Sequence, residues 1–174
     1  MTNRRPVPLL STERLLLRPF RNADLEEYAR ICSDPEVVRF LGDGKPLSRV
    51  DAWRQMAVIL GHWELRGYGM WAVEEKQSGA LMGRIGFWQP EGWPDFELGW
   101  TLGREWWGKG YATEGARTAL SFAFEELDRE HVVSLIHPEN RASIRVAERL
   151  GERLEGETEL FGHAVLIYGI HRGA

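Results

Sequence analysis

The spacing of apolar residues alternates along the chain between a period near two and a period near 3.6, and these changes predict the order of its elements. Strand-like patterns occupy residues 14–18, 70–75, 81–89, 95–102, 131–137, 152–159 and 163–170. Helical spacing is found at 25–32, from Ser48 to the glycines at 67 and 69, at about 110–127, and at 141–150. A further short turn of helix is expected at 34–36. The predicted order is βααβββαβαββ.

The lengths of the connections indicate how the strands pair. The strands at 70–75, 81–89 and 95–102 are joined by links too short for a crossover, so they form an antiparallel meander. The helix at 110–127 supplies a crossover between the strands that flank it, which should be parallel if they are neighbours. The last two strands form a hairpin. The expected fold is α/β of the α+β type: a mixed, mainly antiparallel sheet of about seven strands with helices on both faces, in a single domain over residues 1–174.

Two of the predicted helices have a distinct apolar face. In the helix that starts at Ser48 the predicted buried face consists of Trp53, Met56, Ala57 and Leu60. The long helix carries a stripe of mostly small residues, which implies close packing against a sheet: Ala112, Ala116, Ala119, Leu120, Ala123 and Leu127.

Composition narrows the class of protein further. A hydrophobic fraction of 43% and a charged fraction of 28% are ordinary for one globular domain and argue against disorder. The formal net charge of −4 gives no reason to expect a nucleic-acid partner, which usually selects a basic face. A slightly acidic body is compatible with a cationic substrate.

Cysteine and histidine usage excludes other classes. Cys32 is the single cysteine, so neither an intrachain disulfide nor a cysteine metal cluster can form. The five histidines show no metal spacing, and no metal is expected. The segment from Met1 to Leu10 has no apolar stretch of signal-peptide length, and no run approaches membrane-spanning length. The expected location is the cytoplasm.

The most informative motif is the segment Trp107-Gly108-Lys109-Gly110-Tyr111, which joins a strand to the long helix. Two glycines allow a sharp turn and a close approach of the backbone to a ligand. The helix that follows presents free N–H groups and the positive end of its dipole. Together these features predict an anion site suited to a diphosphate, to which Lys109 and Thr113 could add contacts.

Three other interpretations of this segment were weighed. Gly103, Gly108 and Lys109 match the G-x-x-x-x-G-K spacing of a nucleotide-hydrolase P-loop, but Gly110 stands where Ser or Thr must hold magnesium, so that class is rejected. A dinucleotide fold fails because Thr113 ends the motif and the loop follows a meander strand. An ordinary glycine-rich turn stays open as the alternative without function.

The segment Trp107-Gly108-Lys109-Gly110-Tyr111-Ala112-Thr113-Glu114 resembles the acetyl-CoA diphosphate loop of the GCN5-related N-acetyltransferase (GNAT) superfamily. That loop reads Gln/Arg-x-x-Gly-x-Gly/Ala; Gly110 and Ala112 match it, and Trp107 occupies the Gln/Arg place. Three features resemble the branch of ribosomal-protein N-terminal (RimJ/RimL-type) acetyltransferases. They are the tryptophan at position 107, the first strand Thr12-Glu13-Arg14-Leu15-Leu16-Leu17-Arg18, and the last helix with its flanks, from Asn140 to Gly151. The resemblance spans nearly the whole chain.

The resemblance implies transfer of an acetyl group to an amine in a ternary complex. Glu97 is the candidate base, because several family members carry an acidic base at this strand position. Strand alternation places its side chain on the other face of the strand from those of Leu98 and Trp100. A carboxylate near several tryptophans can have a raised pKa. The alternative is a solvent-facing glutamate. The expected oxyanion donor is a backbone N–H near Leu98 or Gly99.

Ser143 is the candidate partner of the departing thiolate. It shares a helix face with Val146, Ala147 and Leu150, so it points inward. A serine that caps a backbone group is the alternative. Asn140 precedes the helix as its N-cap, and the resemblance also places it against the pantetheine or the thiol. The full set of expected acetyl-CoA contacts is Trp100, Thr101, Leu102, Trp107, Gly108, Lys109, Gly110, Tyr111, Ala112, Thr113, Asn140 and Ser143.

The acceptor pocket is expected between residues 41–47 and 160–164. The leading hypothesis for the acceptor is the α-amine of a protein N-terminus; a polyamine, an aminoglycoside or another small amine is the alternative. A non-catalytic acyl-CoA-binding module would keep the glycine loop without needing Glu97 or Ser143. A sheet edge left open by the last hairpin could pair with a second copy, so a homodimer is possible.

Overall fold

The computed structural model describes residues 6–174. Part of the segment examined for a signal peptide, residues 1–5, lies outside the described residues. The helices are α1 (Leu25–Cys32), α2 (Pro35–Val38), α3 (Arg49–Arg66), α4 (Tyr111–Glu125) and α5 (Arg141–Leu150). The strands are β1 (Leu10–Ser11), β2 (Leu15–Arg18), β3 (Met70–Glu75), β4 (Leu81–Trp88), β5 (Glu97–Leu102), β6 (His131–Ile136), β7 (Arg153–Leu160) and β8 (His163–His171).

The strands form one sheet in the order β1-β2-β3-β4-β5-β6-β8-β7. The antiparallel meander of β3, β4 and β5, the parallel pair of β5 and β6, and the final hairpin are confirmed. The strand count was too low by one, because β1 is only two residues long and pairs with β2 at Leu10↔Leu17. A pair this short leaves no measurable period in the sequence.

The parallel contact between β5 and β6 is confined to one pair of residues, Glu97↔Val133. Beyond it the strands diverge, although β4 stays paired with β5 as far as Leu102 and β8 stays paired with β6 as far as Ile136. The space between residues 98–102 and 134–136 is called here the β5–β6 cleft. It opens beside the loop that leads into α4.

Helices cover both faces of the sheet, as predicted. On one face α4 packs so tightly that a Cβ at Gly115 would lie 2.6 Å from Ile85 Cδ1. The predicted small-residue stripe is buried at its centre, at Ala116, Ala119 and Ala123. On the other face the His62 ring of α3 stacks on Trp88 of β4, with ring centroids 4.8 Å apart.

The predicted buried face of α3 was wrong in part. Trp53 is half exposed, Ala57 and Leu60 are exposed, and of the predicted face only Met56 is buried. The buried side chains are those of Ala52, Met56, Ile59, His62 and Trp63. The helix carries apolar residues on both sides, so spacing alone could not select the face. None of the helices within residues 6–174 has the length and apolar character that crossing a membrane requires.

Candidate active site

The turn into α4 presents a row of unpaired backbone donors. Gly110 caps the helix with φ +82° and Gly108 has φ +73°, both in the left-handed region that favours glycine. Within the described residues, the backbone N–H groups from Gly108 to Thr113 have no hydrogen-bond partner. Free N–H groups at a helix N-terminus form an anion site. This segment is called the amide cradle below.

The amide cradle is fixed to the first strands by Glu114. Its carboxylate accepts hydrogen bonds from Thr12 Oγ1 at 2.6 Å and from Arg14 Nε at 2.7 Å. Arg14 also donates to the carbonyl of Lys109 at 3.1 Å and lies over the Tyr111 ring. The sequence analysis identified residues 14–18 as a strand and residues 12–18 by resemblance, but it gave them no part in the cradle; in the structure Thr12 and Arg14 hold the cradle in place.

Trp107 joins the amide cradle to the cleft. Its indole N–H donates to the carbonyl of Leu102, at the end of β5, at 2.8 Å. That polar group is therefore engaged within the protein, as is the Leu102 carbonyl. A cavity of about 510 Å³ adjoins the cradle, lined in part by Thr113, Arg117 and Arg149.

Glu97 lies at the point where β5 and β6 diverge. Burial raises the pKa of its carboxyl to about 7, against the hydrogen bond from Trp93, a backbone hydrogen bond from Leu135 and the charge of Arg84. The Trp93 indole N–H donates to Glu97 Oε2 at 2.7 Å. A carboxyl with a pKa near neutrality suits proton transfer at physiological pH.

Ser143, Asn140 and Trp100 meet on the opposite face of the sheet. The Trp100 indole N–H donates to Ser143 Oγ at 3.2 Å, which leaves the serine hydroxyl proton free for another acceptor. Asn140 Oδ1 accepts from the Ser143 N–H at 3.1 Å, so its predicted N-cap role is confirmed. Ser143 is half-buried, as its predicted inward direction requires.

Two aromatic contacts border the expected acceptor pocket. Trp93, which bonds Glu97, approaches Phe161 at the tip of the β7–β8 hairpin, with ring centroids 5.9 Å apart. Phe40, just before the predicted wall at 41–47, stacks on His137 at 4.9 Å. Both predicted walls thus lie near segments that carry site residues.

Glu152 is a buried carboxyl that the sequence analysis missed. Its side chain is 3% exposed, and burial raises its pKa to about 8. Ser134 Oγ lies 3.1 Å from Glu152 Oε1 and 2.9 Å from the carbonyl of Leu98. A protonated Glu152 can donate to Ser134, whose own proton then serves Leu98 at the cleft. No local sequence pattern predicts these hydrogen bonds, because Glu152, Ser134 and Leu98 are far apart in sequence.

We expect Glu152→Gln to flatten the pH dependence of folding stability. The unfolded carboxyl releases its proton near its ordinary pKa, whereas the folded one retains it to about pH 8. Wild-type stability therefore falls as pH rises from about 4.5 to about 8 and then levels. The rise of this pKa from 4.5 to about 8 corresponds to a loss of about 5 kcal/mol. Denaturant unfolding at several pH values measures it. Glu148→Gln, at an exposed position of α5, is the control; equal pH dependence in both variants would contradict the assignment.

Histidine spacing in the sequence predicted no metal, and that stays a prediction. Strand pairing nevertheless places His131 opposite His171, with their rings stacked at 4.3 Å. Glu155 Oε2 lies 2.9 Å from His131 Nε2, so a hydrogen bond accounts for this contact.

Comparison with known proteins agrees with this geometry. The family described as acetyltransferase (GNAT) domain matches residues 14–153. A Bacillus licheniformis protein named N-acetyltransferase p20, itself uncharacterised, is 30% identical over 84% of this chain and 83% of its own length. The structure of an acetyltransferase from Agrobacterium tumefaciens has a TM-score of 0.85 and 32% identity, with 99% of each chain covered.

A further solved structure shares the fold at low identity. RimL, a ribosomal L7/L12 alpha-N-protein acetyltransferase in complex with coenzyme A, has a TM-score of 0.80 over 94% of this chain and 98% of its own, at 18% identity. Because the family match spans residues 14–153, most of the chain, the assignment does not depend on this distant neighbour. The chain belongs to the GNAT acetyltransferase family and is an acetyl-CoA-dependent N-acetyltransferase.

Proposed function

We propose that the chain moves an acetyl group from acetyl-CoA to a primary amine by direct attack in one ternary complex. The observation that carries the proposal is the unpaired amide cradle opening onto the β5–β6 cleft, with Glu97 where the strands part. A diphosphate would satisfy donors that otherwise lack partners. The carrier supplies an activated acetyl thioester.

Residues of the cradle and the cleft would hold the carrier. The N–H groups of Gly108 to Thr113 bind the diphosphate, and Lys109 adds a positive charge beside them. Backbone groups of Trp100, Thr101 and Leu102 line the cleft that takes the pantetheine. Asn140 and Ser143 close the cleft from the α5 side. No metal is required in this arrangement.

Three groups then perform the chemistry. The Glu97 carboxylate accepts a proton from the attacking amine, directly or through water. A β5 backbone N–H near Leu98 or Gly99 stabilises the oxyanion as the new C–N bond forms. Ser143 donates its free hydroxyl hydrogen toward the sulfur as the C–S bond breaks.

The leading acceptor is the α-amine of a protein N-terminus. Its support is the resemblance of the first strand and the cradle to the ribosomal-protein branch, together with the fold shared with RimL. A small amine such as a polyamine is the alternative acceptor. A cytoplasmic location and a homodimer through the open edge of β7 belong to the same proposal.

We expect release of free thiol from acetyl-CoA only when an amine acceptor is present. The measurement is a turnover screen across short peptides with free N-termini, polyamines and aminoglycosides, with mass analysis of the product. N-terminally blocked peptides are the matched control. Tight CoA binding without turnover on any amine would favour the non-catalytic acyl-CoA-binding module instead.

A further inference from the structure

Arg84 of β4 is a charged side chain on the face of the sheet that carries Glu97. Strand register pairs Trp88 with Glu97 and Arg84 with Thr101. Alternation places Arg84 and Trp88 on the same face, and Trp88 stacks there on His62 of α3. Arg84 therefore lies on the face of the sheet that α3 covers.

The guanidinium of Arg84 has no partner within the described residues. Its Nε atom is buried without a hydrogen bond, and no ion pair or ring contact involves the side chain. Arg18 is the contrast. It stands on the same register row as Arg84, on the far side of Ala72, and ion pairs with Asp24 and Glu74 neutralise it. Arg84 is half-buried, so part of the guanidinium can meet solvent, but the buried Nε–H is a donor without an acceptor. A buried donor without an acceptor is unfavourable, and a ligand oxygen at this point would satisfy it.

The space between Arg84 and Glu97 is free of large side chains from their own strands. The register pair that separates them is Gly86↔Gly99. The Met70 methyl carbon lies 3.1 Å from where a Cβ at Gly99 would stand, so the Met70 side chain covers Gly99 on this face. A ligand that reaches both the carboxylate and the guanidinium would rest on Met70.

Electrostatics agree with this placement. The charge of Arg84 lowers the pKa of Glu97, against the larger opposing effect of burial. It acts in the same direction on Tyr28 and Cys32 of α1, where burial again dominates. The guanidinium thus lies within electrostatic reach of the base and of the end of α1, whose Cys32 carbonyl anchors the acceptor loop at Leu47.

We propose that Arg84 binds a carbonyl or carboxylate oxygen next to the amine that is acetylated, which makes the acceptor an amino acid or a peptide α-amine. This rests on the proposed acetyltransferase function. The amine nitrogen faces Glu97, and the neighbouring oxygen accepts N–H bonds from Arg84. A polyamine would place a second cation beside the guanidinium and is disfavoured.

The test compares acceptors that differ only beside the amine: alaninamide, free alanine and isopropylamine, with spermidine added. Thiol release gives KM and kcat for each with wild type and Arg84→Met. Arg54→Met, on the exposed outer side of α3, is the matched control. We expect wild type to prefer alaninamide or alanine over isopropylamine at least tenfold in kcat/KM. Arg84→Met should remove most of that preference through the acceptor KM.

Other readouts separate this role from a structural one. Arg84→Met should leave the KM for acetyl-CoA unchanged and should not lower the thermal midpoint, because the arginine has no protein partner to lose. If the enzyme prefers alanine to alaninamide, the group that Arg84 binds is a carboxylate. If it prefers alaninamide, that group is a peptide carbonyl. Equal use of isopropylamine by wild type, a rise in the acetyl-CoA KM, or a marked fall in the midpoint overturns the inference alone. Absence of transfer to any amine overturns the proposed function, and this inference with it.

Discussion

Replacing Glu97 with Gln is expected to lower kcat by 10²- to 10⁴-fold, the range typical of a lost general base. Glutamine keeps an oxygen for the Trp93 indole and fills the same volume, so the carrier site should stay intact. Steady-state turnover with a good acceptor, together with CoA titration by calorimetry, separates chemistry from binding. Glu91→Gln, at a fully solvated loop position, is the control.

The same variant also tests the pH dependence. Because burial holds the pKa of Glu97 near 7, its base form accumulates as pH rises through about 7. Wild-type kcat/KM should climb over that range, and the limb that belongs to Glu97 should be missing in Glu97→Gln. Any limb left in both enzymes belongs to the acceptor amine. Unchanged turnover in the variant would remove Glu97 from the mechanism.

The second large effect is expected for Gly110→Val. A β-branched residue at φ +82° carries about 1–3 kcal/mol of backbone strain, so the turn will rearrange and misplace the amide cradle. We expect the Kd for CoA to rise tenfold or more, measured by calorimetry, with a smaller loss of thermal stability. A Cβ at Gly110 meets only the end of the Arg14 side chain, at 3.6 Å, so folding itself should survive.

Gly67→Val provides the matched comparison. Gly67 has φ +75° and open space around it, but it ends α3, on the face of the sheet opposite α4. The two variants should lose similar stability, whereas only Gly110→Val should lose affinity for CoA. If both bind CoA as wild type does, the diphosphate does not sit on these amides.

Local patterns were sufficient for most of the fold. The short connections between β3, β4 and β5 predicted their antiparallel pairing, and the single helix between β5 and β6 predicted their parallel pairing. The pattern failed where two alternatives were equally apolar, as on α3, where Trp53 is half exposed and Ile59 is buried. A strand of two residues, β1, cannot be read from periodicity at all.

The candidate site was predictable where one element defines a side chain's direction. Alternation placed Glu97 apart from Leu98, and helical spacing turned Ser143 inward. Residues whose meaning depends on distant partners were missed. Glu114 becomes a clamp only when Thr12 and Arg14 reach it, and Glu152 becomes a buried acid only beside Ser134. Arg84 is conspicuous only because a partner is absent, which sequence cannot show.

The single residue pair between β5 and β6 links catalysis to the amount of native enzyme. In the proposed arrangement the pantetheine of acetyl-CoA lies between β5 and β6, where the two strands do not pair with each other. A ligand that binds only the native state stabilises it by RT ln(1 + [L]/Kd). The fraction of folded enzyme would then rise and fall with the concentration of acetyl-CoA, so a shortage of the donor would lower the amount of native enzyme directly.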